Sequence, residues 1–374
     1  MNYILVGLIS ALVSFGASLA MLKLSKRFRI YPGIRERDVH TTPTPRLGGV
    51  AIVLGVGAAF ALASALPAFD RVFVDPIPVL GMCVAISLMA IVGILDDLYD
   101  LDWLIKLGAQ ILAAGVMAWS GIQIVSLPFG GIILLSPTMS LALTVFAIVL
   151  VMNAINFIDG LDGLVAGVSL IAGTVFFIYS YILAIGPGHQ NYFNLATLLT
   201  ASLCGALIGF LPVNWHPAKM FMGDSGALVI GLIMAGSTIS VTGQIDPATV
   251  DPKQFYPAFI PLAIPLAVLL IPLVDFGLAV TRRLINGKSP FMADRKHLHH
   301  RLLDMGHTHF QAVLILYAWT AVAAVGTLMF MFVRIRVAIA ILVIGFIVTA
   351  ILTVAPLGRK KPINLFGDSV EEKK

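Results

Sequence analysis

The sequence has few charged residues for its length. Of 374 residues, 11% are Asp, Glu, Lys or Arg and 59% are hydrophobic, and the mean hydropathy is +0.98. Because soluble domains carry roughly 25% charged residues, this composition predicts an integral membrane protein. Cysteine is scarce too: Cys83 and Cys204 both fall inside apolar runs, so the sequence shows no disulfide framework or cysteine-based metal site.

Several familiar signals are also absent. The sequence has no Gly-x-x-x-x-Gly-Lys-Ser/Thr loop, so it gives no indication of ATP hydrolysis. The Gly-Asp-Ser-Gly of residues 223–226 lacks the β-barrel pattern and the His and Asp partners that a serine protease requires. Residues 1–22 have no basic start and no cleavage site, so they predict a retained first span rather than a signal peptide.

Long apolar runs are abundant. A membrane-spanning helix needs about 20 mainly apolar residues, and the sequence predicts an all-α polytopic membrane protein with about eleven transmembrane helices. The predicted spans are 2–23, 48–66, 77–95, 104–120, 138–156, 163–185, 193–211, 226–243, 257–281, 311–332 and 336–356. Residues 1–356 then form one integral-membrane domain, and the polar tail 357–374 is predicted to be disordered. Residues 122–135 predict a short hairpin between two spans.

The basic residues predict the orientation. Most of the 24 Lys and Arg residues fall in loop 23–46, loop 282–301 and tail 359–374. The positive-inside rule places these segments and the C-terminus in the cytoplasm and the N-terminus outside. Many acidic residues fall on the same side, namely Asp96, Asp97, Asp100, Asp102, Asp159, Asp162, Asp224, Asp275, Asp294 and Asp304. The sequence therefore predicts a polar site that faces the cytoplasm.

The acidic cluster 96–100 ends the third predicted span. The adjacent carboxylates of Asp96 and Asp97 repel each other, so keeping both ionised at a low-dielectric boundary requires a cation. A divalent metal or Lys106 would supply it. An ordinary acidic helix end in the headgroup region is the simpler alternative.

The stretch Asn153–Gly163 concentrates amides and carboxylates between two apolar runs. In a continuing helix, Asn153, Asn156 and Asp159 share one face, and their oxygens suit Mg²⁺. The glycines at 160 and 163 would let a ligand approach the backbone. The alternative is a glycine-rich turn with Asn and Asp as helix caps, and Asn153 is assigned no more than capping or bracing.

Two further polar segments precede spans. Asp224, in Met222–Gly226, is either a ligand or a helix N-cap, and Trp215, His216, Lys219 and Phe221 before it suit a nucleotide base and phosphate. The segment 288–301 combines Arg and Lys, which bind phosphate, with three histidines. Anchoring to anionic lipid and a zinc site are its alternatives. Together, carboxylates, a predicted Mg²⁺ and a basic loop indicate phosphoryl transfer involving a membrane lipid.

Over nearly its whole length, the sequence resembles the polyprenyl-phosphate N-acetylhexosamine-1-phosphate transferases. The motifs that carry the resemblance are HTTPTPRLGG at 40–49, Asp96-Asp97 with Lys106, Asn-x-x-Asn-x-x-Asp-Gly-x-Asp-Gly at 153–163, Met-Gly-Asp-Ser-Gly at 222–226 and His-Leu-His-His at 297–300. The MraY branch typically has three consecutive histidines. Here Leu298 interrupts them, as in the WecA and TagO branch, which favours UDP-GlcNAc as the donor.

The resemblance implies a reaction in which UDP-GlcNAc and polyprenyl phosphate, undecaprenyl or decaprenyl, give polyprenyl-diphosphate-GlcNAc and UMP. It implies Mg²⁺, with Mn²⁺ as an alternative, on Asp224 and Asn156. Asp96 and Asp97 match the essential pair, one of which would deprotonate the lipid phosphate. The lipid phosphate would then attack the donor diphosphate directly rather than through a covalent intermediate on the protein. The other implied roles are phosphate contact for Lys106, the reacting phosphates for Asp159, the uracil for Asp162 and Phe221, the lipid-phosphate entrance for Arg46, and the diphosphate or sugar for His297, His299, His300 and Arg301.

The implied setting is the cell membrane of a bacterium, at the first membrane step of a cell-envelope glycopolymer pathway. The expected partners are the two substrates, the lipid bilayer and, as in the MraY branch, a second copy in a homodimer; no nucleic acid is expected. Two alternatives stay open: the same reaction with another UDP-sugar, such as UDP-MurNAc-pentapeptide, and an ion-coupled transporter. Transporter sites lie near the bilayer midplane, whereas these acids cluster at one surface.

Overall fold

A computed structural model describes residues 2–28, 44–127, 133–185, 191–242, 263–264, 266–285, 287 and 297–355, and almost all of its regular structure is helical. The helices are α1 (Asn2–Phe28), α2 (Gly48–Ser64), α3 (Asp70–Phe73), α4 (Pro76–Tyr99), α5 (Trp103–Trp119), α6 (Pro137–Phe157), α7 (Leu164–Ile185), α8 (Asn191–Asn214), α9 (Gly223–Thr242), α10 (Leu270–Ile285), α11 (Leu298–Asp304), α12 (His309–Leu328) and α13 (Ile335–Val354), with short 3₁₀ turns at Pro67–Phe69 and Met329–Met331.

Eight of the described helices are long and apolar enough to cross a membrane: α1, α4, α6, α7, α8, α9, α12 and α13. A ninth span arises if α2 and the segment after it, which bends by 97°, are taken together, and α5 is a shorter apolar helix. The prediction of an all-α polytopic membrane protein is therefore confirmed. The predicted span 257–281 lies partly outside the described residues, as do the basic segments 29–43 and 288–296 and the tail 357–374.

Helix α8 packs against α1, α2, α7 and α9. Its contact with α1 is very close, because a Cβ on Gly205 would lie 2.2 Å from the carbonyl oxygen of Gly7. The hydroxyls of Ser10 and Ser14 on α1 donate to the carbonyls of Ser202 (2.6 Å) and Ala206 (2.8 Å) on α8. Small residues and interhelical hydrogen bonds are the usual means of joining helices in lipid, where apolar burial gives little driving force.

Helix α9 is surrounded by α2, α4, α6 and α8. Gly93 of α4 permits one of these contacts, since a Cβ there would lie 2.3 Å from the Cα of Ser225. Asn153 joins α6 to α5, because its Nδ2 donates to Gln110 Oε1 at 2.6 Å and to the Val149 carbonyl at 2.8 Å. The bracing role expected for Asn153 is what the structure shows. This packing brings the start of α9 to the ends of α4 and α6.

The predicted hairpin within 122–135 is also confirmed. Strands β1 (Ser126–Leu127) and β2 (Ile133–Leu134) pair antiparallel, with Ser126 opposite Leu134. The segment before β1 is attached to α6, because Ile124 donates its N–H to Thr144 Oγ1 at 2.9 Å and its carbonyl accepts from Ser140 Oγ at 2.8 Å.

Candidate active site

The turn between α4 and α5 brings Lys106 back over the end of α4. Asp100 adopts a left-handed conformation (φ 54°) as the C-cap of α4, which Asp tolerates better than most residues. Asp102 is the N-cap of α5, and its side chain accepts from the N–H of Leu104 at 2.8 Å. Asp100 of the predicted cluster and the nearby Asp102 therefore shape the turn, as the helix-end alternative expected for Asp100, and leave Asp96 and Asp97 to be explained.

Lys106 lies between two carboxylates. Its Nζ is 3.2 Å from Asp96 Oδ2 and 3.3 Å from Asp224 Oδ2. The Asp224 carboxylate also accepts a hydrogen bond from the side chain of Asn156. The structure thus brings Asp96, Lys106, Asn156 and Asp224 together from α4, α5, α6 and α9, as the sequence predicted. One ammonium between two carboxylates leaves this cluster negatively charged, which is an environment that favours a further cation.

Asp96 and Asp97, although adjacent in sequence, have different partners. Asp96 accepts from the N–H of Leu101 at 2.9 Å and from Lys106. Asp97 Oδ1 accepts from the N–H of Asp224 at 2.9 Å, and its Oδ2 accepts from the N–H (3.2 Å) and the hydroxyl (2.8 Å) of Ser225. The first N–H groups of a helix have no partner within the helix. Asp97 therefore supplies a cap for α9 from another helix and holds Asp224 in place.

Glycine is required where α9 begins. Gly223 has φ +73°, and a Cβ there would lie 2.4 Å from Asp97 Oδ2 and 2.7 Å from the carbonyl of Arg46. A Cβ on Gly49 would lie 2.2 Å from the backbone N of Gly226. A side chain at either position would push the start of α9 away from Asp97, which explains Gly223 in the 222–226 motif and Gly49 after Arg46.

The segment around Arg46 runs beside Phe221. The N–H of Phe221 donates to the Pro45 carbonyl at 2.9 Å, the N–H of Gly48 donates to the Phe221 carbonyl at 3.1 Å, and the N–H of Gly49 donates to the Met222 carbonyl at 2.9 Å. These backbone hydrogen bonds place Arg46 and Phe221 next to each other at the start of α9. Residues 44–46, at the end of the predicted loop 23–46, therefore belong to the same site as the acidic cluster.

Asp159 lies in the turn between α6 and α7, with its side chain accessible to solvent. The Asp224 carboxylate and the Arg46 guanidinium act in opposite directions on this carboxyl, the first raising its pKa and the second lowering it. Asp159 thus senses the charge of both Asp224 and Arg46, and its predicted place near the reacting phosphates stays a prediction.

Asp162, in contrast, is buried and holds the loop before α9. Its Oδ2 lies 2.8 Å from His216 Nδ1 and accepts from the N–H of Ala218 at 3.0 Å. Asn214 reinforces the attachment, because its Oδ1 accepts from the N–H of Gly163 at 3.1 Å and its Nδ2 donates to the Met220 carbonyl at 3.0 Å. Asn214 is not among the predicted site residues, and its only signal in the sequence is its position before the polar loop. The predicted contact of Asp162 with uracil stays a prediction.

The histidine segment begins at His297, next to α10. His297 Nδ1 lies 2.9 Å from Asp275 Oδ2. His299 is buried, and its ring occupies the space that a side chain at Gly160 would need, since a Cβ there would lie 2.2 Å from His299 Nε2. Loss of hydration and the neighbouring His300 and His297 lower the pKa of His299 to about 3. His299 is therefore a neutral contact to the 158–163 turn, and Arg301 is exposed on α11.

The donor atoms in the acidic cluster suit a hard cation. Among the residues that the structure describes, no group of three or more His, Cys, Asp or Glu side chains is arranged to hold a metal, so the zinc alternative gains no support there. The predicted Mg²⁺ ligands are a carboxylate, Asp224, and an amide, Asn156, which are in contact. Oxygen ligands of this kind, completed by water and substrate phosphates, are typical of Mg²⁺.

Comparison with known proteins agrees with these motifs. The model of "Glycosyl transferase family 4" matches residues 79–242. The chain is 38% identical over 362 residues to a decaprenyl-phosphate N-acetylglucosaminephosphotransferase of Mycolicibacterium smegmatis, covering 96% of this chain and 89% of the relative. It is 34% identical to a probable undecaprenyl-phosphate N-acetylglucosaminyl 1-phosphate transferase of Bacillus subtilis, covering 83% and 80%.

A more distant relative is the undecaprenyl-phosphate alpha-N-acetylglucosaminyl 1-phosphate transferase of Escherichia coli strain K12, which is 28% identical over 307 residues and covers 79% of this chain and 75% of its own length. The matched regions of these relatives span the acidic cluster, and the nearer ones span most of the chain. The chain therefore belongs to glycosyl transferase family 4, among the polyprenyl-phosphate N-acetylhexosamine-1-phosphate transferases.

Proposed function

We propose that this protein transfers GlcNAc-1-phosphate from UDP-GlcNAc to a polyprenyl phosphate, producing polyprenyl-diphosphate-GlcNAc and UMP. The observation that carries the proposal is the convergence of Asp96, Lys106, Asn156 and Asp224 at one end of the helix bundle. The names of the relatives support both the sugar phosphate and the lipid acceptor. The position of these acids at helix ends is unlike a transporter ion site, which lies near the bilayer midplane.

The reaction exchanges one phosphate bond for another. A lipid phosphate oxygen attacks the phosphorus that carries GlcNAc, the bond from that phosphorus to the UMP oxygen breaks, and UMP leaves with the electron pair. Asp96 accepts a proton from the lipid phosphate when that phosphate is protonated. We assign this role to Asp96 because the oxygens of Asp97 are held by the backbone and hydroxyl of the start of α9, whereas Oδ2 of Asp96 is paired with Lys106, the residue assigned to a reacting phosphate. Lys106 binds a reacting phosphate as a compact positive charge.

Asp224 and Asn156 would hold Mg²⁺, or Mn²⁺ in its place. The ion would neutralise charge on the diphosphate as it reacts. Asp97 keeps Asp224 at the start of α9, so its contribution to this site is positional. Asp159, whose charge interacts with that of Arg46, faces the reacting phosphates.

The substrates are bound by the surrounding segments. Phe221 and Asp162 serve the uracil side through the 214–222 loop, and Arg46 lines the approach of the lipid phosphate. His297, His300 and Arg301 of the histidine segment bind the diphosphate or the sugar, and the buried His299 holds this segment against the 158–163 turn. We place this site on the cytoplasmic side of a bacterial cell membrane, with eleven spans, the N-terminus outside and the C-terminus inside, because the positive-inside rule favours it. A homodimer is an expectation from relatives of the MraY branch.

The experiment that tests the function uses the purified full chain in detergent, with labelled UDP-GlcNAc and undecaprenyl or decaprenyl phosphate, with and without Mg²⁺. We expect a labelled lipid product and UMP in equal amounts, and neither product without the metal. No lipid product with any prenyl acceptor would overturn the proposal. Product from UDP-MurNAc-pentapeptide alone would replace the donor and keep the reaction class.

A further inference from the structure

We propose that Asp275 is a positioning residue that orients His297 toward the substrate phosphates. This inference rests on the proposed function, because it assumes that the histidine segment binds the diphosphate. Asp275 lies within an apolar helix, α10, and is 2% exposed. A buried carboxylate is costly unless it is paired and hydrogen-bonded, so its partners indicate what it is for.

Both partners of Asp275 belong to the first residues of the histidine segment. Its Oδ2 lies 2.9 Å from His297 Nδ1, and its Oδ1 accepts from the N–H of Leu298 at 2.7 Å. His297 is the N-cap of α11 and its own side chain caps nothing. One carboxylate therefore fixes both the imidazole of His297 and the direction in which α11 starts.

A carboxylate at Nδ1 leaves the other ring nitrogen, Nε2, for a ligand. In neutral His297 it holds the proton on Nδ1, and it stabilises the imidazolium when Nε2 is also protonated. Nε2 lies on the opposite edge of the ring and makes no hydrogen bond with another residue in the described parts of the chain. An imidazolium held in this way can donate from Nε2 to a phosphate oxygen.

The rings around His297 connect it to the acidic cluster. Phe157 contacts it edge-on, with centroids 5.8 Å apart, and Phe157 directly follows the proposed metal ligand Asn156. The guanidinium of Arg283 lies 5.1 Å from the centroid of the same Phe157 ring. His297 is thus packed against the end of α6 that carries the metal ligand.

On the other side, His297 stacks parallel to His299, with centroids 5.8 Å apart and an interplanar angle of 2°. His299 in turn fills the space beside Gly160 in the 158–163 turn. Among the described residues, the charged and titratable groups around His297 are therefore Asp275 from α10, Arg283 across Phe157, and His299 with His300 from α11. Asp275 supplies the only carboxylate hydrogen-bonded to the His297 ring among the residues that the structure describes.

Asp275→Asn tests the orientation directly. The N–H of Leu298 needs an acceptor, so the new amide keeps its oxygen there and turns its NH₂ toward His297 Nδ1. This reverses the direction of the hydrogen bond and moves the proton of neutral His297 to Nε2. We expect kcat/KM for UDP-GlcNAc to fall by about tenfold to a hundredfold, as for other residues that orient a histidine ligand.

Two readouts separate positioning from a loss of folding. First, ¹⁵N-histidine NMR of the full chain in nanodiscs, with the His297 signal identified by its loss in His297→Gln, should show the neutral ring protonated on Nδ1 in the wild type and on Nε2 in Asp275→Asn. Second, the double variant Asp275→Asn/His297→Gln should lose no more activity than the worse single variant, because the two residues act together.

Asp75→Asn is the matched control, because Asp75 also caps a helix by accepting from the N–H of Ile77 but lies at the opposite end of α4 from the cluster. It should change neither readout. A wild-type His297 protonated on Nε2 when neutral would overturn the inference even if Asp275→Asn does not fold, and so would multiplicative losses in the double variant. If the wild type makes no GlcNAc lipid but the tautomer moves as expected, the proposed function fails while Asp275 still positions His297.

Discussion

The carboxylates of the candidate site fall into two regions that differ in how their negative charge is balanced. In the acidic cluster, Asp96 and Asp224 share one ammonium, Lys106. The second region comprises the 214–222 loop and the histidine segment 297–301. There, Asp162 and Asp275 each have an imidazole at 2.8–2.9 Å and accept from a backbone N–H. The first region has one positive charge for two negative ones, so it suits a further cation together with the substrate phosphates that the cation would bind. The second is already compensated, and its acids hold other groups in position.

Asp97 holds another group in position, as Asp162 and Asp275 do, although it is adjacent in sequence to Asp96 of the acidic cluster. Its three hydrogen bonds all go to Asp224 and Ser225. The comparison therefore divides an adjacent pair: Asp96 faces the reaction, and Asp97 maintains the residue that binds the ion. Substitutions that remove charge should affect turnover in one region and geometry in the other.

The largest effect is expected for Asp224→Asn. Turnover should fall at least about a hundredfold, because the ion loses its carboxylate and the developing phosphate charge loses its partner. The variant should remain folded, since the new amide still offers an oxygen to Lys106 and Asn156. Product formation across a Mg²⁺ titration, together with thermal unfolding, measures both. Near-normal turnover at low Mg²⁺ would contradict the metal role.

Next in size is the contrast between Asp97→Asn and Asp96→Asn. An amide at position 97 turns an NH₂ group toward donors of α9, and a buried N–H left without an acceptor costs about 1–3 kcal/mol. Asp97→Asn should therefore lower the thermal midpoint more than Asp96→Asn, while both reduce turnover.

Ser225→Ala, which removes only the hydroxyl donor to Asp97, is the control and should lie between wild type and Asp97→Asn in stability. If Asp96→Asn proves the less stable variant, the two acids have been assigned to the wrong regions.

A smaller effect is expected for Asp162→Asn, about a tenfold rise in KM for UDP-GlcNAc with little change in kcat. The reason is that the 214–222 loop loses part of its attachment to the 158–163 turn. Steady-state kinetics with His216→Gln alongside sharpens the interpretation. A partial rise in KM for His216→Gln indicates that Asp162 acts through the loop, whereas no change would indicate direct contact with the nucleotide.

The last prediction concerns pH and His299. Its pKa in the folded protein is about 3, below its usual 6.5, so between these values the unfolded chain binds a proton that the folded chain does not. Stability contributed by neutral His299 is present above pH 6.5 and is lost as the pH falls toward 3. The thermal midpoint of His299→Gln should decline less than that of the wild type between pH 7 and pH 4. His216→Gln, at a half-exposed ring, is the comparison, and parallel wild-type and His299→Gln curves would argue against this assignment.

The helices could be predicted because apolar runs end at Pro, Asp or basic residues. Helices α2 and α6 begin and end within about two residues of the predicted spans, and α1 continues past the predicted residue 23 to Phe28 because its basic end remains helical beyond the apolar run. The site residues were found from residue type and resemblance, and the structure brings Asp96, Lys106, Asn156 and Asp224 together.

The division of labour among the acids could not be predicted. Asp96 and Asp97 have the same local sequence context, and their different partners are set by helix packing across 127 residues. Asp275 is a single acid in an apolar run, with its histidine 22 residues away. Local periodicity contains no information on such pairs, because it describes which face of a helix is apolar and not which distant N–H reaches that face.

The capping of α9 by Asp97 has a consequence for biogenesis. The carboxylate leaves the ribosome well before its partners, which follow 127 and 128 residues later. Until α9 is inserted, the end of α4 carries adjacent acids without the N–H groups that satisfy one of them. Insertion of α9 is thus the event that completes this end of the bundle, and a chain that stops before Gly223 would leave Asp97 at the end of α4 without its three hydrogen-bond donors.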